Sequence, residues 1–308
     1  MTLQQLKYFI ETVNCGSINK AAERLFISQP SLSNAIRELE AEVRVELFTR
    51  TPGGVTLTTD GAEFLGYARQ VAEQAGLLEE RYLKKKPSRR LCSISTQHYA
   101  FAVNAFVNMV KKTDADEYEF TLRETRTHEI IEDVKTARSD VGILYLNGFN
   151  GKVIEKLLRE NGLTFHRLFT AKPHIFIGAA NPLAKKKSVT LSDLEEYPRL
   201  SFEQGEYNSF YFSEEILSTA ASKKSIRVSD RATIFNLMIG LNGYTVSTGI
   251  IDAALNGENI VAVPLLIDDP IEIGWIAHNF VLPTKQAGLY LEELKRVILE
   301  YGIAVDGE

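Results

Sequence analysis

Residues 17–40 read SINKAAERLFISQPSLSNAIRELE, and no other stretch limits the fold of this chain so strongly. Two amphipathic runs stand almost back to back. In the first, Ile18, Ala21, Ala22 and Leu25 fall at i, i+3, i+4 and i+7, one face of a helix. Phe26 and Ile27 fill the gap. Ser28 then stands as an N-cap, its hydroxyl placed to accept from a backbone N–H two or three residues on. Pro30 is tolerated because the first helical turn does not need its missing N–H. Leu32, Ile36 and Leu39 form the inner face of the second run. Two helices joined by so short a turn must cross at an angle, which makes the second one protrude.

A helix precedes them, with Leu3, Leu6, Phe9, Ile10 and Val13 on one stripe, broken by Cys15, Gly16 and Ser17. The outward face of the protruding helix carries Gln29, Pro30, Ser33, Asn34 and Arg37. These are mostly short hydrogen-bonding groups near a helix N-terminus. Such a set suits the major groove of a duplex, where side chains reach base edges and N-terminal amides favour phosphate. A three-helix structural bundle with a polar outer face is the other reading of the same pattern. The next segment, VELFTRTPGGVTLTTDG, places a short strand at Val55–Leu57 after a Pro52-Gly53-Gly54 turn. That is a hairpin wing, with Arg50 and Thr51 able to meet phosphates.

Residues 58–86 then form one long helical candidate with Thr58 as N-cap. Phe64, Ala68, Val71, Ala75, Leu78 and Tyr82 recur at spacings of 4 and 3, a heptad seam. Gly61, Gly66 and Gly76 each cost a helix interior about 1 kcal/mol relative to Ala. A second copy of the seam supplies the missing burial, so the pattern predicts a homodimer through these six residues. Two reading heads then imply a two-fold-related site on double-stranded DNA.

Charge adds little to this case. The chain carries 35 Lys and Arg against 40 Asp and Glu, a net of −5. Residues 1–90 hold 13 basic and 11 acidic side chains, so the DNA reading rests on geometry. No apolar run approaches the ~18 residues of a membrane span. The N-terminus has the polarity of a helix rather than of a signal peptide. Cys15 and Cys92 have no metal or redox spacing, which fits a cytoplasmic protein with reduced thiols and no membrane partner.

Residues 1–60 resemble the winged helix-turn-helix of LysR-type transcriptional regulators. The string AAERLFISQPSLSNAIRELE, followed by VELFTR and LTTDG, carries the resemblance. It implies that Ser28, Gln29, Pro30, Ser33 and Asn34 form the reading end, with Arg37, Arg50 and Thr51 nearer the backbone. It also implies dimerisation through the long helix, tetramers through sensor contacts, and RNA polymerase as a further partner. Three positions depart from the family. Arg44 stands where Gly is usual at the end of the recognition helix. Asn34 replaces a frequently basic residue, and the wing has Pro52-Gly53 where Arg is common. Fewer cations release fewer counterions, so the salt dependence of binding is expected to be shallow.

From residue 91 strands alternate with helices: RLCSIST, a helix through 103–110, YEFTL, a helix near 128–138, VGILYL, HIFIGA, GYTVST, IVAVP, IEIGWIAH and a closing helix over 285–302. The alternation predicts an α/β region with mostly parallel sheets. The looser resemblance of this half implies a two-lobed, periplasmic-binding-protein-like sensor. The fold expected is therefore an α+β multidomain chain: a winged helix-turn-helix over 1–58, a linker helix over 59–86, a hinge at 87–90, and an effector-binding domain over 91–308. Lobe I is expected at 91–165 and 267–308, lobe II at 166–266.

An effector should sit between the lobes, at strand ends and helix N-termini. The candidates are Ser95, Thr96 and Gln97, then Thr127 and His128, then Phe202, Glu203 and Gln204, and finally Ser247 and Thr248. Each Ser and Thr here could equally be a helix cap. Glu203 and the aromatic stretch EYNSFYFSEE favour a zwitterion, an amino acid rather than a dianion, though a small organic acid fits the helix N-termini. The region resembles Gram-positive members tied to methionine and sulfur supply. No cofactor or metal is implied. An enzyme is disfavoured, since the five histidines lack HExxH-type spacing and no GxSxG, GxGxxG or Walker loop occurs. A small-molecule-binding protein with a helical dimerisation module and a coiled-coil scaffold remain the other classes.

Overall fold

The computed structural model describes residues 1–51, 54–82, 90–207, 209–251 and 257–306. It divides into two compact units, Met1–Ser88 and Arg89–Glu308. The expected hinge at 87–90 lies outside the described residues except for Arg90.

The first unit holds α1 (Leu3–Cys15), α2 (Ile18–Arg24), α3 (Gln29–Val43), a hairpin of β1 (Phe48–Thr51) and β2 (Gly54–Leu57), and α4 (Thr59–Tyr82). A Thr2–Gln5 capping box opens α1, and Gly16 closes it in the left-handed region. Leu6, Phe9, Ala21, Ala22, Leu32, Ile36, Leu39, Leu47 and Phe48 make the core. Ala21 and Ala22 have no bulk to hold neighbouring helices apart, so α1 and α3 both pack on α2.

The hairpin pairs from Phe48↔Leu57 to Thr51↔Gly54; Pro52 and Gly53, the expected turn, lie outside the described residues. Glu40 of α3 anchors this wing, since its Oε1 accepts from the Leu47 and Phe48 backbone N–H groups at 2.8 and 3.1 Å. Thr58 caps α4 as expected, accepting from Gly61 N at 2.9 Å. Gly61 is there for close approach: a Cβ would lie 2.1 Å from the Leu47 carbonyl oxygen.

The second unit contains two five-stranded sheets. Lobe I has the order β4-β3-β5-β12-β6, built from β3 (Arg90–Thr96), β4 (Tyr118–Glu124), β5 (Val141–Leu146), β6 (Leu163–Ala171) and β12 (Ile271–His278). Lobe II has the order β11-β7-β10-β8-β9, from β7 (His174–Gly178), β8 (Arg199–Phe202), β9 (Ser225–Val228), β10 (Tyr244–Ser247) and β11 (Ile260–Pro264). The helices are α5 (Ala100–Lys112), α6 (Thr127–Lys135), α7 (Gly151–Glu160), α8 (Arg231–Leu241) and α9 (Lys285–Glu300).

The sheets are mixed rather than mostly parallel. β12 runs antiparallel to β5 and β6, and β7 antiparallel to β10 and β11. Strands that enter and leave a lobe return against its sheet, so the antiparallel pairs gather there. The expected lobe boundary at 165/166 also shifts, because β6 continues through it to Ala171 before the chain turns into β7 at His174. Leu168 and Phe169 are buried in the lobe I sheet and hold that strand in place. Among the described residues no helix is long and apolar enough to cross a membrane.

Candidate nucleic-acid interface and interlobe crevice

Ser28 caps α3 by accepting from Ser31 N at 3.2 Å. Gln29 and Pro30 follow on the exposed first turn, and Asn34 and Arg37 continue the exposed face one and two turns on. Arg37 Nη2 donates to Asn34 Oδ1 at 2.9 Å, which holds both side chains in one plane of approach. Arg50 is exposed on β1, its guanidinium 3.5 Å from Ser33 Oγ. Thr51 donates across the wing to the Gly54 carbonyl at 3.3 Å.

Ser33 departs from expectation. It is 4% exposed, because it lies beside Leu32 and Ile36 on the inner flank of α3 and the Arg50 side chain reaches it from the wing. It positions Arg50 in this state rather than facing outward.

Two non-glycine residues adopt left-handed backbone beside the helix-turn-helix. Phe26, in the turn between α2 and α3, has φ 56° and is 95% exposed. Arg44 ends α3 at φ 59°. A glycine adopts that left-handed cap without steric cost, so the unusual Arg44 leaves the helix end formed and bears the strain.

The expected seam of α4 divides in two. Ala68 is buried in the core of its own unit, and Phe64 packs edge-on against Phe9 at 5.3 Å. Those two side chains serve the intramolecular core, since α1 covers the N-terminal half of α4. Ala75 is half-buried, while Val71, Leu78 and Tyr82 are exposed, together with Tyr67 and Leu77. The apolar stripe left open is Tyr67, Val71 and Leu78, one step round the helix from the expected start.

In the second unit, most of the expected effector residues turn inward. Ser95, Thr96, Gln97 and Thr127 are all at most 1% exposed. Ser95 Oγ bonds Asp133 at 2.7 Å and Ser139 at 2.8 Å. Thr96 donates to the Gln97 carbonyl. Gln97 donates to Thr127 Oγ1 at 2.6 Å and accepts from Tyr99 Oη and Tyr145 N. Thr248 is buried and accepts from Ile250 N. Buried polar groups must find partners, and these found them within the fold.

The lobes meet through charged pairs and stacked rings. Gln204 accepts from Thr127 N and donates to Glu214. Glu203 is bonded to Arg126 of lobe I, so it is not the uncommitted carboxylate that an amine would seek. His98 holds Glu214 through Nδ1 at 2.8 Å and backbone N at 3.1 Å, and stacks on Phe202 with ring centres 3.9 Å apart. Arg231 pairs with Glu124 at 3.1 Å. Three rings that follow Gly205 also pack on lobe I: Tyr207 stacks on His128 at 3.5 Å, Tyr211 on Phe149 at 4.8 Å, and Phe212 meets His128 edge-on.

Between the lobes lies a crevice of about 30 Å³. His98 and Tyr99 line it from lobe I; Phe176, Phe202, Glu214, Glu215, Arg231, Thr245 and Ser247 line it from lobe II. Phe202 and Ser247 were expected there. Arg231 and Thr245 were not, and Glu214 and Glu215 entered only as the end of the stretch EYNSFYFSEE, not as site residues. A larger open cavity of about 410 Å³ lies on lobe II alone, beside Glu203, Gln204, Arg227 and Asp230.

The titrating groups are strongly perturbed. Burial and the adjacent Glu214 charge push Glu215 up to about 8. Burial likewise raises Glu124, against the opposing pull of Arg231. For His98 burial works downward, but the Glu214 hydrogen bond and charge carry it above its ordinary value. His128 is lowered by burial. Among the described residues no group of His, Cys, Asp and Glu could hold a metal ion.

A winged helix-turn-helix with an exposed polar recognition face, in one chain with a two-lobed unit enclosing a polar crevice, defines a DNA-binding regulator with an effector domain. The comparisons name the family. Residues 3–62 match the bacterial regulatory helix-turn-helix proteins of the LysR family, and residues 112–296 match the LysR substrate binding domain. The chain belongs to the LysR-type transcriptional regulators.

It is 27% identical over 254 residues to the HTH-type transcriptional regulator AlsR of Bacillus subtilis, covering 81% of this chain and 78% of the relative. It is 28% identical over 214 residues to the uncharacterized HTH-type transcriptional regulator YvbU of the same organism, covering 68% and 69%. Among solved structures, full-length CbnR complexed with its target DNA superposes with a TM-score of 0.53 at 20% identity, covering 96% of this chain and all of that one. Corynebacterium glutamicum OxyR gives 0.54 at 19%, covering 97% and 94%. These similarities are to regulators of transcription, and the chain is not an enzyme.

Proposed function

We infer that this regulator works as a homodimer or a pair of dimers, each dimer laying two copies of α3 into a two-fold-related DNA site. One observation carries the reading: the first turn of α3 presents Gln29 and Pro30, with Asn34 and Arg37 behind them, on a face that makes no core. Gln side chains match the adenine edge in the major groove, and the N-terminal amides of α3 favour phosphate. Ser28, Arg50 and Thr51 flank this face and serve the backbone. Ser33 reads bases only after Arg50 swings away to a phosphate.

Pairing uses the open stripe of α4, Tyr67, Val71, Leu78 and Tyr82, continued by Ala75. A small metabolite held between the lobes sets the response, through the charged pairs that close the crevice. The protein acts in the cytoplasm, with RNA polymerase as a partner at the promoter. Control of amino-acid or sulfur supply is the finer form of this reading.

The test is gel retardation with the DNA upstream of the chain's own gene and its neighbours, at stated salt, with and without candidate metabolites. The account expects a specific shift that a metabolite alters, with no turnover of that metabolite. Turnover without any shift would overturn it.

A further inference from the structure

We propose that the effector carries a protonated amine, and that Glu215 with Thr245 forms the seat of its ammonium group. The proposal rests on the crevice being the effector site and concerns the chemistry it accepts. Every cation that lines the crevice already has a carboxylate. Arg231 is paired with Glu124, and His98 with Glu214. An incoming carboxylate therefore finds no uncommitted cation and faces an acidic wall.

Glu215 is the group left over. It is 4% exposed, and its carboxyl accepts backbone hydrogen bonds only, from Phe202 N at 2.8 Å and from its own N–H. Among the described residues it has no ion pair. A charged carboxylate buried without a cation is costly, so in the closed state Glu215 holds a proton, in keeping with its raised pKa.

A second group points the same way. Thr245 Oγ1 is buried in the wall of the crevice and has no hydrogen-bond partner among the described residues. A buried hydroxyl left without a partner costs about 1–3 kcal/mol. An ammonium donates three hydrogen bonds and accepts none, which suits a carboxylate and a hydroxyl oxygen lining one crevice. The rings of Phe176, Phe202 and Phe235 complete the lining and offer π faces to a cation.

The space of about 30 Å³ admits a group of water size, hence the head of a ligand only. The body of the ligand enters where His98 and Tyr99 of lobe I part from Phe202 and Glu214 of lobe II. On binding, Glu215 gives up its proton to solvent and pairs with the ammonium. The groups that face Glu215 in this titration are Glu214 beside it, Arg199 of β8 and Tyr145 of β5; Glu124 of β4, His98 and Tyr99 before α5, and Arg231 of α8 share the crevice.

The experiment uses the full chain and three matched probes at millimolar concentration: butylamine, butyrate and butanol. Only butylamine should raise the melting temperature. Titration calorimetry at pH 7 in two buffers of different ionisation heat should show release of about one proton per chain. Amine affinity should rise about tenfold from pH 7 to pH 9 as Glu215 ionises while the amine stays charged.

Glu215→Gln keeps the acceptor for Phe202 N, and it should lose the amine response, the proton release and the pH dependence together. Glu195→Gln, at an exposed carboxylate outside the crevice, should keep all three. Stabilisation by butyrate, an amine response that survives Glu215→Gln or vanishes with Glu195→Gln, or silence to all three probes would overturn the amine assignment. None of these outcomes touches the regulator reading, which gel retardation decides; an amine response in a chain that shifts no duplex would sink that reading and leave the amine seat standing.

Discussion

The two units of this chain solve opposite problems with polar side chains. In the first, Gln29, Asn34 and Arg37 stay in solvent, open to a partner that comes from outside. In the second, Glu214, Glu215 and Thr245 are buried, and Glu214 is already paired with His98 within the fold. Exposure is free but selects weakly. Burial is costly and selects sharply, since each enclosed polar group must be matched. The exposed polar face of α3 is one short stretch of a single helix, whereas the buried polar crevice is drawn from β7, β8, β10, α5, α8 and two loops.

The largest expected effect bears on the pairing of the first unit. Leu78→Asp puts a charge on the open stripe of α4, far from the unit's own core, and should turn the dimer into monomers in sedimentation at micromolar concentration while the melt of the chain is retained. A dimer that persists would place the pairing surface elsewhere.

Gly61→Ala comes next. Its Cβ would press on the Leu47 carbonyl, a backbone atom that cannot step aside. Overpacking of this kind costs about 1–3 kcal/mol, to be read as a lowered melting transition for the first unit. Insensitivity to the change would mean that α4 does not approach the wing as closely as described.

The third concerns the buried carboxyl. The folded pKa of Glu215 is raised to about 8 from an ordinary 4.5. Its contribution is fully present below pH 4.5 and is lost as pH rises through about 8, the reverse of an ion-paired Glu. Glu215→Gln should therefore be about 1–3 kcal/mol more stable than the parent at pH 8 and about equal to it at pH 4.5. Parallel stability curves for the two proteins would show that Glu215 is not buried unpaired.

The smallest effect is at Phe26. A bulky residue at φ 56° is strained, and Asn tolerates the left-handed region, so Phe26→Asn should gain about 0.5–1 kcal/mol in urea unfolding. A loss would mean that the exposed ring has a partner within the protein.

The same contrast governs what could be read from the residues. The helix-turn-helix was legible because its signals are local: the Ala21–Ala22 pair, the Ser28 cap with Pro30, and the spacing of Leu32, Ile36 and Leu39 all fall within one short stretch. Even there, two details depended on a neighbour across the fold. Ser33 is covered by Arg50 of the wing, and Phe64 and Ala68 are claimed by α1. Neither appears in the period of a single helix.

In the second unit the main strands of both sheets were legible from their apolar runs, but β6, α7, β8, β9 and α8 were not. RATIFNLMIGL of α8 is apolar on nearly every side, burying Ile234 and Met238 while exposing Ile239 and Leu241, so it has no period to read. In β6, LTFHRLFTA breaks the alternation at Leu168 and Phe169, which are both buried, where its pairing with β12 shifts register. The crevice was the least legible. Ser95, Thr96 and Gln97 had the right residue types at a strand end, but the fold used their hydroxyl and amide groups to tie Asp133, Thr127 and Tyr145. Of the groups that line the crevice, Glu215 and Thr245 stand out by what they lack, an ion pair and a hydrogen-bond partner, and a sequence does not display that.

The claim on which the account rests is that α3 reads DNA through its exposed first turn, and Gln29→Ala tests it most directly. Affinity for the footprinted upstream site should be measured by fluorescence anisotropy at fixed salt, beside sedimentation of the same preparation. The account predicts a loss of about 1–3 kcal/mol for that site, little change for unrelated duplex, and an intact dimer. Equal affinity of parent and variant for the specific site would contradict it.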